Sequence, residues 1–255
     1  MIPLRDDIPS RTTPYVNFLL IGICTLAFLA QQASKDDSQG IIASYAMVPL
    51  RVSDPSATPT LTQQVAVQTP RGVEVVNVQV EIGPPAVSPW ATLITCMFLH
   101  GGWMHFLGNM WFLYIFGDNV EDRCGHLGYA LLYLGTGVAA GLAHYATDPS
   151  SPVPTLGASG AIAGVMGAYA WLYPHARVMA VLPIIFLLTF VVPAPIFLGI
   201  WFAMQLFNGI GSLGAGAAAG VAWWAHAGGF AAGIGVAYLI GHSPIGHAAV
   251  EERRF

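Results

Sequence analysis

The chain has 255 residues, of which 55% are hydrophobic and only 9% charged, and it carries a formal net charge of −4. So few charges cannot cover a soluble surface, so the composition excludes an ordinary soluble domain and requires a polytopic membrane protein. The nine basic residues form no run or stripe able to neutralise a phosphate backbone, which excludes nucleic acid as a main partner.

In chain order, the first apolar run, residues 15–31, lacks a basic n-region and a small-residue cleavage site and has the length of a bilayer crossing. It predicts a first transmembrane helix over residues 14–32. Residues 33–89 form a long loop with a soluble-looking composition. It is rich in Pro, Ser and Thr between 53 and 62, and then alternates through Val65-Ala66-Val67 and through 73–82. Arg71-Gly72 is placed to turn a β-hairpin there. Residues 90–241 hold the remaining predicted spans, at 103–116, 126–146, 158–173, 195–207 running on into the following glycines, and 221–240. That makes six spans in an all-α membrane bundle with a small hairpin insertion in its first loop. The apolar stretch 178–192 is interrupted by Pro183 and followed by Pro193 and Pro195, and its Ile184, Ile185, Phe186, Thr189, Val191 and Val192 favour an extended chain. It reads as a loop against the membrane, with a seventh span as the competing reading.

Six spans put both termini on one side. Arg5, Arg11, Arg123, Arg177, Arg253 and Arg254 then share a side, while Lys35, Arg51 and Arg71 lie in the long first loop. The positive-inside rule makes the former side cytoplasmic, with residues 242–255 as a cytoplasmic tail and residues 33–89 outside. Cys24, Cys96 and Cys124 lie far apart in no metal-ligand spacing, so neither a disulfide framework nor a zinc site is expected.

Polar groups inside hydrocarbon are costly and mark function by default, which singles out His100, His105, Asn109, Ser159 and His226. Gly157-Ala158-Ser159-Gly160 sets a serine among small residues at a helix start, where it can be closely approached and where helix-end amides lack partners. A plain N-cap on a glycine-rich helix fits the same four residues. His226, Gly229 and Gly233 share one helical face, and Gly160, Gly164 and Gly167 form a matching groove on the fourth span. Two such grooves let helices approach closely enough for a serine–histidine hydrogen bond. A packed, satisfied histidine is the alternative. His105 and Asn109, four apart, face the same way and can both donate toward a developing oxyanion. His100 and His105 are spaced by five without a nearby carboxylate, so no metal site is expected. Ser159, His105, Asn109 and His226 all fall in one outer layer of the membrane, with His226 roughly 10 Å deep if it lies five to eight residues into its helix.

These residues resemble the rhomboid family of intramembrane serine proteases, bacterial type. The likeness is carried by His100-Gly101-Gly102 with His105 and Asn109, by Glu121-Asp122-Arg123, by Gly157 to Gly160, and by Ala225-His226. It covers residues 90–240, more weakly the first helix, and implies the six-helix rhomboid core with a water-filled cavity open to the outside. It also implies Ser159 as nucleophile, His226 as general base, His105 and Asn109 in the oxyanion hole, and Glu121 with Arg123 as a structural brace. His100, Gly157, Gly160, Gly229 and Gly233 complete the motifs. The long first loop departs from the family pattern.

No Asp or Glu lies in the last three spans to orient the imidazole, so the arrangement is read as a dyad, with Asp148 the alternative third member. No cofactor is expected. The implied partners are the lipid bilayer and single-span membrane proteins that unwind near the outer face, and the implied setting is a bacterial inner membrane. A small transporter or channel, and a rhomboid-like protein that binds clients without cutting them, are the alternatives.

Overall fold

The computed structural model describes residues 1–34, 38–69, 72–182, 188–212 and 221–242. The expected turn at 70–71, the Pro183–Phe186 part of the membrane loop, Gly214, Gly216 and Gly220 after the fifth predicted span, the tail beyond His242 and the Lys35 position lie outside the described residues. The fold is mostly helical. Helix α1 spans Tyr15–Ala33, and short helices α2 (Ser38–Tyr45), α3 (Pro49–Ser53) and α4 (Thr92–Thr95) follow, the last running into a 3-10 turn at Cys96–Phe98. Helix α5 covers Trp103–Thr147 but is interrupted at Gly125, whose φ of 71° ends one arm and starts another. A left-handed residue cannot continue a helix, and glycine takes that conformation without a Cβ penalty. Helices α6 (Ser159–Leu172), α7 (Ala194–Ser212) and α8 (Trp223–His242) complete the set. Among the described residues, α1, α5 and α7 are long and apolar enough to cross a membrane, and α6 is apolar but shorter.

The reason for the short α6 lies in its packing. Gly160 to Tyr169 are buried without a break, so α6 is walled by protein on every side. Its neighbours come unusually close. A Cβ added at Gly229 would overlap the Gly160 carbonyl, one at Gly233 the Gly164 carbonyl, and one at Gly167 the Phe230 carbonyl. Helices α6 and α8 therefore touch backbone to backbone along the two glycine rows. Without a hydrophobic drive between helices in lipid, such close van der Waals contact is what holds them.

Two sheets flank the helices. Strands β2 (Thr60–Thr69) and β3 (Gly72–Glu81) pair antiparallel over their full length, from Thr60 with Glu81 to Thr69 with Gly72. This is the hairpin anticipated in the first loop. Its base is tied down by Arg51, which is buried and donates to the carbonyls of Ala43 (3.0 Å), Ile82 (2.6 Å) and Gly83. The second sheet corrects the membrane-loop expectation. Strands β4 (Arg177–Leu182) and β5 (Leu188–Pro193) pair antiparallel, and β4 also pairs antiparallel with β1 (Ile2–Asp6). The branched residues there do favour extended chain, as read from composition, but their backbone groups are satisfied by each other and by the N-terminal strand. The sheet is fixed to the helices through Trp111 Nε1, which donates to the Pro3 carbonyl (2.6 Å), and through Asp6, which accepts from Asn119 Nδ2 (2.8 Å) and the Tyr169 hydroxyl (2.5 Å).

Candidate active site

Ser159 is the first residue of α6, after the N-cap position Ala158, and no side chain caps this end. Its hydroxyl is committed elsewhere: Ser159 Oγ lies 2.7 Å from His226 Nε2. The N-cap alternative therefore does not describe this serine. His226 is the fourth residue of α8, shallower along its helix than the sequence spacing suggested. The helix contact that brings the two together is the glycine pairing described above, with Gly229 on the Gly160 carbonyl one turn below the pair.

The imidazole is held at its other nitrogen too. His226 Nδ1 lies 2.8 Å from Gln205 Oε1 on α7, and Gln205 Nε2 donates back to the Trp201 carbonyl (3.2 Å). Trp201 and Trp223 wall the ring, with centroids 5.8 and 6.2 Å away. Asp148, the alternative partner, instead accepts from the amide and hydroxyl of Ser150 in its own turn. Sequence reasoning missed Gln205 because it looked for a carboxylate. The available signal was a polar amide inside an apolar helix, which needs a partner there as much as a histidine does.

His105 lies against Gly157, two residues before the serine. Gly157 has a φ of +127°, and a Cβ there would lie 2.7 Å from His105 Cε1 and Nε2 and 3.6 Å from Ser159 Oγ. The backbone conformation and the ring both require glycine at this position. His105 Nδ1 accepts from the Gly101 amide (3.3 Å), so in the neutral ring the proton sits on Nε2, the edge that faces Gly157. Asn109 is buried and spends one amide hydrogen on the His105 carbonyl (2.7 Å), leaving a second to donate. The Ser159 amide, in the first turn of α6, has no acceptor within its own helix. The Ser159–His226 contact joins a hydroxyl to an imidazole nitrogen, an arrangement that can serve acyl transfer.

His100, Glu121 and Arg123 are the other motif side chains. His100 is buried against Phe28 and Phe106, 5.4 Å from the His105 ring, and its backbone is gripped at both ends by Gln31, which accepts from the His100 amide (3.0 Å) and donates to its carbonyl (3.2 Å). Gln31, a second buried amide, was also missed. Glu121 accepts from the amides of Val16 (2.9 Å) and Asn17 (2.7 Å) and meets His126 Nδ1. It thereby caps the start of α1, which lacks a capping side chain of its own. Of the two residues of the implied structural brace, Glu121 acts on α1 and His126, and Arg123 makes no hydrogen bond to it among the described residues. No group of three or more metal-binding side chains occurs among the described residues.

Fold and site together define a helical membrane protein with a half-buried serine–histidine pair. A Rhomboid domain model matches residues 88–243, more than half of the chain, and the chain belongs to the rhomboid family. Over 76 residues it is 43% identical to Rhomboid-like protein 11, chloroplastic, of Arabidopsis thaliana, covering 30% of this chain and 27% of that protein. It is 37% identical over 76 residues to RHOMBOID-like protein 5 of the same plant, covering 30% of this chain and 25% of the relative. It is also 37% identical over 83 residues to Rhomboid protease GluP of Bacillus subtilis, 32% of this chain and 16% of that one. The aligned stretches thus span less than half of each relative. The family includes intramembrane serine proteases, and together with the apolar helices it marks the chain as an integral membrane protein.

Proposed function

We propose that this protein is an intramembrane serine endopeptidase that cleaves single-span membrane proteins near their outer ends. The observation that carries the reading is the 2.7 Å contact between Ser159 Oγ and His226 Nε2 across two helices packed backbone to backbone. In the proposed reaction His226 Nε2 takes the Ser159 proton as Oγ adds to the scissile carbonyl. The oxyanion receives hydrogen bonds from the Ser159 amide, His105 Nε2 and Asn109 Nδ2. The imidazolium then gives its proton to the leaving amine. Water adds to the acyl-enzyme by the same route in reverse, freeing Ser159.

In this reading α1, the two arms of α5, α6, α7 and α8 are the six spans, and residues 33–89 lie outside. Arg5, Arg11, Arg123 and Arg177 would then share the cytoplasmic side with both termini. The 14 residues of α6 reach about 21 Å, against about 30 Å of hydrocarbon, so its first residue would sit below the outer surface, where a polar cavity can hold water. A substrate must unwind to enter that layer, which favours helices with small or helix-breaking residues near the outer end. The test is incubation of the purified protein with a panel of single-span substrates. Ser159→Ala and His226→Ala should each reduce cleavage to background while leaving a folded protein. Cleavage by Ser159→Ala at the wild-type rate would contradict the proposal.

A further inference from the structure

We infer that Gln205 is a positioning residue for His226, doing with a neutral amide what a carboxylate does in a serine triad; this rests on the proteolytic reading above. Of the two ends of the Gln205 amide, only the nitrogen can donate to the Trp201 carbonyl, so the 3.2 Å bond within α7 fixes which way the amide points. Its oxygen is then the atom 2.8 Å from His226 Nδ1. A carbonyl oxygen can only accept, so Nδ1 must carry the proton. The lone pair is thereby left on Nε2, facing Ser159 Oγ at 2.7 Å. That is the tautomer a general base needs, and the wrong one would present an N–H to the hydroxyl. Gln205 is itself buried, with 6% exposure, so this geometry is shielded from competing water.

A neutral acceptor orients the ring but offers less to the imidazolium than a carboxylate would. The aromatic rings around His226 fit that deficit. Trp201, one turn before Gln205, lies 5.8 Å from the imidazole at an interplanar angle of 37°, within the range in which an indole face attracts a cation. A single turn of α7 thus supplies the carbonyl that sets the amide, the amide that sets the tautomer, and a ring beside the developing charge. The other face of α7 has a different character, with Ile196, Met204, Phe207 and Ile210 exposed.

The experiment compares wild type, Gln205→Leu, Gln205→Glu and Ser159→Ala, purified in detergent, by steady-state cleavage of one single-span substrate. Imidazole ¹⁵N NMR of histidine-labelled protein is recorded for each. Gln205→Leu is expected to lower kcat roughly 10- to 100-fold with little change in KM, since one oriented hydrogen bond to the base is lost. Gln205→Glu, which keeps an oxygen acceptor in either protonation state, should recover most of that loss. The His226 signal should report Nδ1–H in wild type and in Gln205→Glu, and a mixed or Nε2–H ring in Gln205→Leu. Wild-type kcat in Gln205→Leu, a change confined to KM, or an unaltered His226 tautomer would each overturn the inference. Should wild type and Ser159→Ala prove equally inactive, the proteolytic reading fails, and with it the catalytic role of Gln205. The NMR comparison then reports only whether Gln205 sets the His226 tautomer. Should Gln205→Leu fail to fold, an Nε2–H ring at His226 in the wild type would by itself overturn the assignment.

Discussion

At the scale of single residues, the cluster depends on donors and acceptors that are each already engaged by a neighbour. His105 accepts at Nδ1, His226 meets Gln205 at Nδ1, and Asn109 donates to a helix carbonyl. Each side chain is pinned at one atom, and His226 presents its other ring nitrogen to Ser159; dipoles fixed in this way avoid reorganisation during a reaction. Asn109→Ala should therefore lower kcat by roughly 10- to 1000-fold with little change in KM. Steady-state kinetics decides it: an effect on KM alone would make Asn109 a substrate contact. The Ser159–His226 contact and the His105–Asn109 bond were legible in the sequence because glycine spacing and i,i+4 spacing are local signals. Gln205 and Gln31 were not, since the meaning of a buried amide depends on what the fold puts opposite it.

At the scale of elements, two side chains tie separate elements together. The Glu121 carboxylate closes the start of α1, satisfying two amides that the helix cannot satisfy itself. Replacing it by Gln turns one acceptor into a donor facing an amide, so Glu121→Gln should cost about 1 to 3 kcal/mol and lower the Tm in detergent. Arg123→Gln should change stability by less than about 0.5 kcal/mol. Equal losses for both would restore a paired brace. Asp6 ties β1 to α5 and α6, and burial is the main cause raising its carboxyl above the ordinary value of 3.8, against the opposing hydrogen bond from Tyr169. The folded state thus holds that proton more tightly than the unfolded chain, so this group's contribution is greatest below 3.8 and declines as pH rises through the raised value. Thermal unfolding between about pH 4 and 7 should show this decline in wild type and a flatter profile in Asp6→Asn. Identical profiles would remove Asp6 as the cause. The sheet Asp6 belongs to was illegible in sequence because β1 pairs with β4, some 170 residues later in the chain, and period-two runs do not name their partners.

At the scale of the molecule, the hairpin β2–β3 stands apart from the helical core. The register sets Val65 opposite Val76, Leu61 opposite Val80, and Val67 and Val78 on the same face, and these valines are exposed. An isolated two-stranded ribbon is marginal, so it is expected to use this face against something else, and a substrate approaching the cavity is the proposed occupant. Deleting residues 62–79 keeps the Arg51 lock on Ile82 and Gly83 and should preserve folding while changing the ranking of substrates in a cleavage panel. Unchanged ranking and rates would leave the hairpin without a screening role.

If His226 makes Ser159 nucleophilic, as proposed, the serine should react covalently. Wild-type protein exposed to a serine-reactive fluorophosphonate should gain one adduct, mapped by peptide mass spectrometry to Ser159. Ser159→Ala should gain none, and His226→Ala should label far more slowly. An adduct on another residue, or labelling of the His226→Ala protein at the wild-type rate, would contradict the account.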